Sequence, residues 1–440
     1  MRAPISVFWF RRDLRLEDHQ ALFEALRAGY PVLGLYVFDR IWLDRKERRD
    51  HPGVDVLHQA VCSLYRAVEQ VGSRLMVHVG TPEEAFREIS RHWEIRAVFV
   101  GDEYEPEALK RFENLRRELA TTGASWISIR DRVVFAPNDI LKKDGTPYTV
   151  FTPYARAWKA QWSECSREPV PSGAVLQAFL PRKEFSWLPG PAPTLEQLGF
   201  SSSGHLLPTP QLQPSLLHSY HLHRDFPAVE GTSRCGVALS LGTIGVRHIV
   251  RLGFQHNEVF LNELIWREFF VSVLYHFPYV ERSAFKKRYD AIPWRNHEPE
   301  FERWCHGQTG YPLVDAGMRQ LLASGWMHNR VRMVAASFLV KHLLIDWRWG
   351  EAWFASLLLD YDLSANNGNW QWVAGTGCDA APYFRVFHPM EQARKFDSSS
   401  VYIKTWVPEW GTPEYPQAMV SHPEARVRAL EAYRAALGKT

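Results

Sequence analysis

Cysteine is scarce in this chain, and its placement follows no pattern. The five thiols, Cys62, Cys165, Cys235, Cys305 and Cys378, are odd in number, widely spaced and form no C-x-x-C pair. That argues against a disulfide framework and against structural zinc or iron–sulfur sites. Reduced thiols in a cytoplasmic protein are expected. Long apolar runs are missing too. The stretch Ile5–Phe10 is too short for a signal sequence, and no segment reaches membrane-spanning length. Neither sign of charge dominates: 52 Lys and Arg face 49 Asp and Glu, for a net +3. Nucleic acid could therefore bind only through a local basic patch. No G-x-G-x-x-G or G-x-x-x-x-G-K-S/T motif occurs, so neither a dinucleotide fingerprint nor a P-loop is supported. There is no internal repeat. His218, His221 and His223 cluster without a Cys or carboxylate at ligand spacing, and no metal site is expected.

Tryptophan, by contrast, is plentiful: 18 in 440 residues. An indole buries a large area yet needs a partner for its N–H, so this many suggests stacking surfaces as well as core. The length makes two domains the default. In the first third, β-rich apolar runs at Ile5–Phe10, Val32–Phe38, Leu75–Val79, Ala97–Val100 and Trp126–Phe135 alternate with helix-like segments. These helices fall near Glu17–Ala28, Val54–Val71, Pro82–His92 and Glu107–Thr121, with Thr81 as N-cap before Pro82. Continuous apolar strands between helices predict a doubly wound, five-stranded parallel sheet covered on both faces. From about residue 136 the pattern breaks. A Pro-, Ser- and Gly-rich stretch at Leu180–Leu217 reads as a long connection. After it the chain is helical, as at Leu261–Tyr275, Pro312–Ser324, Arg330–Leu344 and Glu351–Leu359. The fold class is thus α/β plus all-α, with domains at 1–135 and 218–440 joined by a connector at 136–217.

The chemistry concentrates in the helical part. Segments 325–333 (Gly-Trp-Met-His-Asn-Arg-Val-Arg-Met) and 360–372 (Asp-Tyr-Asp-Leu-Ser-Ala-Asn-Asn-Gly-Asn-Trp-Gln-Trp) set Asp, Asn and Arg among aromatic and aliphatic residues. Burying them without polar partners is costly. A large planar ligand with hydrogen-bonding edges and phosphates would supply partners; the Trp content argues against a solvated charged helix. Glu263, Trp266, Arg267 and Phe270 fall at i, i+3, i+4 and i+7 and share one helical face. One acid, one indole and one guanidinium beside a ring suit a pocket that stacks a base and bonds its edge. Asn329 and Met333 share a face, while Arg330 and Arg332 are expected to point elsewhere. Gly231-Thr232-Ser233-Arg234 offers the small donors that suit a phosphate, although alone it reads as a turn or helix cap.

At these residues the sequence resembles the DNA photolyase/cryptochrome family, most closely its bacterial class I cyclobutane pyrimidine dimer (CPD) photolyases. Segments 8–16 (Phe-Trp-Phe-Arg-Arg-Asp-Leu-Arg-Leu) and 144–153 (Asp-Gly-Thr-Pro-Tyr-Thr-Val-Phe-Thr-Pro) resemble the family's N-terminal antenna-type domain and the lead into its connector. Residues 224–397 carry the strongest likeness. The resemblance implies a helical FAD- and DNA-binding domain and light-driven repair of CPDs in ultraviolet-damaged DNA. An electron passes from excited reduced FAD to a flipped-out dimer and returns; photolyases are among the base-flipping enzymes.

It further implies FAD contacts from Tyr220, Arg224, Thr232, Ser233, Arg234, Gly236, Phe260, Glu263, Arg332, Asp360, Asp362, Asn366 and Asn367. Arg332 is expected to pair with Asp360, and Asn367 to face the flavin N5. Gly236 stands where the family usually has a serine. Glu263, Asn329, Met333, Trp266 and Trp372 would surround the dimer; Asn329 with Met333 resembles CPD rather than (6-4) repair. Trp370, Trp347 and Trp304 resemble the electron-transfer chain. Trp266, Arg267, Asn329, Arg330, Arg385 and Gln392 would contact DNA. A second, antenna chromophore (methenyltetrahydrofolate, deazaflavin or flavin) or none is compatible: Ala108 stands where folate-binding relatives carry Glu, with Glu105 and Glu107 beside it. The protein is expected to act as a monomer, without membrane or obligate protein partner. A cryptochrome-type photoreceptor would call for a longer C-terminal tail. A nucleotide enzyme working through the first domain alone would call for the missing phosphate motifs.

Overall fold

The computed structural model describes residues 2–162, 170, 173–188 and 190–438; Cys165 and short pieces of the connector lie outside the described residues. The chain divides into two compact units that interleave in sequence. One comprises Met1–Asp139, Ala160–Pro210 and Arg234–Gln255; the other comprises Ile140–Lys159, Gln211–Ser233 and His256–Thr440.

The first unit is built on a five-stranded parallel sheet in the order β3-β2-β1-β4-β5. The strands are β1 (Pro4–Phe10), β2 (Val32–Asp39), β3 (Met76–Gly80), β4 (Glu94–Gly101) and β5 (Ser125–Ile129). The alternation along β1 explains the unbroken apolar run. Ile5, Val7 and Trp9 enter one core while Phe8 and Phe10 enter the core on the other face. The helix expected at Pro82 starts there, and the one expected from Glu17 starts three residues later, at Gln20. Thr81 and Glu84 form a reciprocal capping box at Pro82–His92, and His19 caps Gln20–Arg27. The expected strand at Trp126–Phe135 is shorter than the apolar pattern: β5 ends at Ile129. Beyond it Asp131 is drawn into buried ion pairs with Arg15 at 2.7 Å and Arg247 at 3.3 Å. The connector is not featureless. It contributes Phe179, Leu180 and Phe185 to the cores flanking the sheet, and Leu180 N–H bonds the Val32 carbonyl.

The second unit is helical. Its main core gathers Trp304, Phe338, Trp347, Phe354 and Trp370. Truncating an aromatic of this kind to Ala typically costs about 3–5 kcal/mol. Two glycines let helices close tightly around these rings. A Cβ at Gly350, in helix Trp347–Leu357, would lie 2.1 Å from the Trp370 ring. One at Gly368, in helix Leu363–Ala374, would lie 2.2 Å from Phe270 on helix Glu258–His276. The run expected as one helix at Arg330–Leu344 is α-helical over Asn329–Ser337 and widens to a π turn at Phe338–His342. There the buried Lys341 Nζ donates to the carbonyls of Ala374 and Tyr383 at 3.0 and 3.2 Å. Among the described residues no helix is long and apolar enough to cross a membrane, and no group of His, Cys, Asp or Glu is arranged to hold a metal.

Candidate functional site

The second unit encloses a cavity of about 400 Å³. That lies within the roughly 300–1,000 Å³ of ordinary ligand sites. Helix Glu258–His276 contributes Glu263, Trp266, Arg267 and Phe270, the four residues that spacing had placed on one face. Helix Asn329–Ser337 contributes Asn329 and Met333, and also Arg330 and Arg332. Those two arginines were expected to point away. Their side chains are long enough to return to the cavity once anchored. Arg332 forms a two-pronged pair with Asp360 at 2.8 and 3.1 Å, and its Nε donates to the Met327 carbonyl at 2.7 Å. Arg330 pairs with Asp225 at 2.7 Å and lies 4.3 Å over the Phe396 ring. Arg224 pairs with Glu263.

Helix Leu363–Ala374 begins with Asp362 as N-cap, whose carboxylate accepts from Ala365 N–H. From this helix Asn366, Asn369, Trp370 and Trp372 reach the cavity. Asn367 lies outside the lining. Its amide donates to the Val280 carbonyl at 3.0 Å and its oxygen accepts from Gln371 at 3.1 Å. One residue along a helix is a turn of about 100°, and that rotation gives the cavity to Asn366 in place of Asn367. Asn366 is oriented by Glu351, whose backbone carbonyl and carboxylate accept from its amide at 3.1 and 2.8 Å. Burial pushes the Glu351 carboxyl above its ordinary range. Glu351 sits among the tryptophans of its helix, and no sequence signal singled it out.

Tyr220, Thr232, Ser233, Arg234, Gly236 and Phe260 also lie outside the lining. Tyr220 is buried edge-on against Phe260 at 5.2 Å, with Arg224 over its ring. Of the three tryptophans expected to relay electrons, Trp370 lines the cavity and Trp304 lies 6.2 Å from it, edge to face. Trp304 and Trp347 are both wholly buried, so neither presents an indole to solvent. Trp294, only partly buried, packs on the same core. It is next to Arg295, which bonds the carbonyls of Leu343 and Leu344 just before Trp347. Arg385 is exposed with its guanidinium 5.3 Å over Phe387, and Gln392 lies in helix Pro389–Phe396.

Residues 6–174 match the model for DNA photolyase, and residues 260–413 match the model for the FAD binding domain of DNA photolyase. The chain is 36% identical to a deoxyribodipyrimidine photo-lyase of Synechococcus, across 93% of this chain and 88% of the relative. It belongs to the DNA photolyase family. Among solved structures, a bacterial class III photolyase from Agrobacterium tumefaciens aligns with a TM-score of 0.86 at 31% identity, covering 100% of this chain and 99% of that one. An archaeal photolyase from Sulfolobus tokodaii, described with two FAD molecules, aligns at 0.84 and 31% identity, covering 98% and 99%.

The cavity's chemistry fits the FAD of a photolyase. Guanidinium groups suit phosphates and the carbonyl edge of a flavin, amides can donate or accept at ring nitrogens, and indoles offer flat apolar faces. In the lining, Arg330 Nε is buried without a protein partner, the kind of unmet donor that a bound acceptor would satisfy.

Proposed function

We propose that this photolyase family member repairs cyclobutane pyrimidine dimers in ultraviolet-damaged DNA with light, through the cavity of its second unit. One observation carries the reading: Glu263, Asn329, Met333, Trp266 and Trp372 line the same cavity as the Arg332–Asp360 pair. Polar groups that suit a pyrimidine edge thus share one space with groups that suit a flavin. In this reading residues 218–440 bind FAD and DNA, residues 1–135 form an antenna-type domain, and residues 136–217 connect them. When bound, reduced FAD would supply light-driven one-electron chemistry for opening the cyclobutane ring, with no net redox change.

The chain's own residues do the rest. Arg332, locked by Asp360, and Asp362 would hold the cofactor's polar edge, and Asn366, steadied by Glu351, would offer its amide to the ring. Glu263 and Asn329 hydrogen-bond the carbonyl edge of the flipped dimer and stabilise the charge that develops on it, a preorganised electrostatic role. Trp266 and Trp372 wall the dimer, and Met333 offers an apolar contact where a histidine would favour the (6-4) photoproduct. Trp370 stands at the inner end of the route that keeps FAD reduced, with Trp347 and Trp304 in the core behind it. Partly exposed Trp294 suits the outer end better than the buried Trp304.

The test is repair by FAD-loaded, reduced protein under blue light, on oligonucleotides carrying either a thymine cyclobutane dimer or a (6-4) photoproduct. Restoration of the cyclobutane substrate alone is expected. Repair of only the (6-4) product would overturn the assignment of Asn329 and Met333. Photoreduction of FAD without repair of either would favour a blue-light receptor.

A further inference from the structure

Trp266 lines the cavity with a single indole, and what fixes the plane of that indole lies outside the cavity. Phe151 opens helix Phe151–Gln161. Its ring lies face to face with Trp266, centroids 3.8 Å apart and planes within 6°. The remaining neighbours clamp the same indole from the side. Phe269 meets it edge to face at 5.5 Å and Phe270 is tilted to it at 5.4 Å, while Phe151 itself stands edge to face on Phe269 at 6.0 Å. Phe151 is in turn anchored: its backbone N–H, one of the unpaired donors at the start of a helix, donates to the Asp379 carboxylate at 2.9 Å. Asp379 lies in the segment following helix Leu363–Ala374, which carries Trp372 to the same cavity. The two aromatic residues read as walls of the dimer site are thereby tied together through Phe151 and Asp379.

We propose that Phe151 is a positioning residue for damaged DNA: its ring backs Trp266 so that one indole face is presented in a fixed plane to the flipped-out pyrimidine dimer. The inference rests on the proposed role of Trp266. A wall that is already stacked on its rear face loses little freedom when a base settles on its front. A stack formed on a preorganised surface keeps most of its strength, whereas one formed on a mobile side chain spends part of it on ordering. Phe151 touches neither cofactor nor dimer in this arrangement. Its effect should appear in recognition of the lesion, not in flavin content.

The experiment compares FAD-loaded wild type with Phe151→Leu, Phe151→Tyr and Trp266→Ala. Affinity is measured for the same oligonucleotide with and without a thymine cyclobutane dimer, and flavin content is read from absorbance. Phe151→Leu keeps an apolar side chain without a flat face. It should weaken binding of the damaged oligonucleotide by about fivefold or more, the lower end of what one lost base stack is worth. Affinity for the undamaged strand and the flavin ratio should stay as in wild type. Phe151→Tyr retains the flat ring and should restore lesion binding. If Trp266→Ala weakens lesion binding while Phe151→Leu matches wild type, the positioning role is wrong and the reading of Trp266 stands. If Trp266→Ala has no effect, that reading fails and the inference with it. Equal loss in Phe151→Leu and Phe151→Tyr, or equal loss on damaged and undamaged DNA, would mark Phe151 as ordinary packing and overturn the proposal. Should Phe151→Leu lose its flavin, Phe151→Met takes its place under the same criteria.

Discussion

His328 spends its Nδ1 as an acceptor for the Arg330 N–H at the start of helix Asn329–Ser337, so any proton it holds in the neutral state sits on Nε2. Burial, with Arg332 next, lowers its pKa from 6.5 to about 4; Arg330 and Arg224 add to the shift and Asp225 opposes it. A base whose folded pKa is depressed binds its proton less well folded than unfolded. Its share of stability is therefore complete above pH 6.5 and is lost as pH falls from 6.5 towards 4. Replacing His328 with Asn, which can also cap the helix, should flatten the fall in melting temperature across that window. Thermal melts at pH 7, 6, 5 and 4 would show it; an unchanged slope would place the acid sensitivity elsewhere, with the similarly depressed His342 as the next suspect. The Arg332–Asp360 pair makes a second residue-scale prediction. Asp360→Asn removes the charge that holds Arg332 in place, and the purified variant should retain distinctly less FAD, as read from the flavin-to-protein absorbance ratio.

At the scale of elements, three helices bring the cavity's working residues together: Glu258–His276, Asn329–Ser337 and Leu363–Ala374. The third carries Trp370 between the cavity and the buried indole of Trp304. Trp370→Phe keeps most of the packing volume and removes an easily oxidised indole. Photoreduction of oxidised FAD with an external reductant should be blocked, while repair by enzyme reduced beforehand should be nearly intact. Photoreduction at the wild-type rate would mean that electrons reach the flavin by another route. Trp294→Phe, made alongside, tests whether the partly exposed indole is the outer end.

For the whole molecule, a net charge of only +3 leaves little long-range attraction for DNA, so docking must come from local cations. Arg385 is exposed and Arg330 is already paired with Asp225. Arg385→Ala should therefore weaken binding to damaged and undamaged DNA alike, and should reduce the slope of log affinity against log salt by about 1 if it contacts a single phosphate. An unchanged slope would remove Arg385 from the interface.

Much of this protein could be read from its order of residues. Continuous apolar strands separated by capped helices specified the parallel sheet, because a strand buried on both faces admits no polar alternation. The i, i+3, i+4, i+7 spacing was enough to set Glu263, Trp266, Arg267 and Phe270 on one face, since the helical period is a local property of the backbone. Properties that depend on which surface a helix meets were decided only in three dimensions. Asn366 and Asn367 are chemically identical neighbours, and only the packing of helix Leu363–Ala374 turns the first to the cavity and the second to Val280 and Gln371. Trp304 reads as part of the electron-transfer chain by resemblance, and only the tertiary structure shows that the core closes over it. Phe151 lies 115 residues before Trp266, and Glu351 lies 15 before Asn366. Pairs so separated leave no periodic trace, because their meeting is set by how whole elements pack and not by the geometry of any one of them.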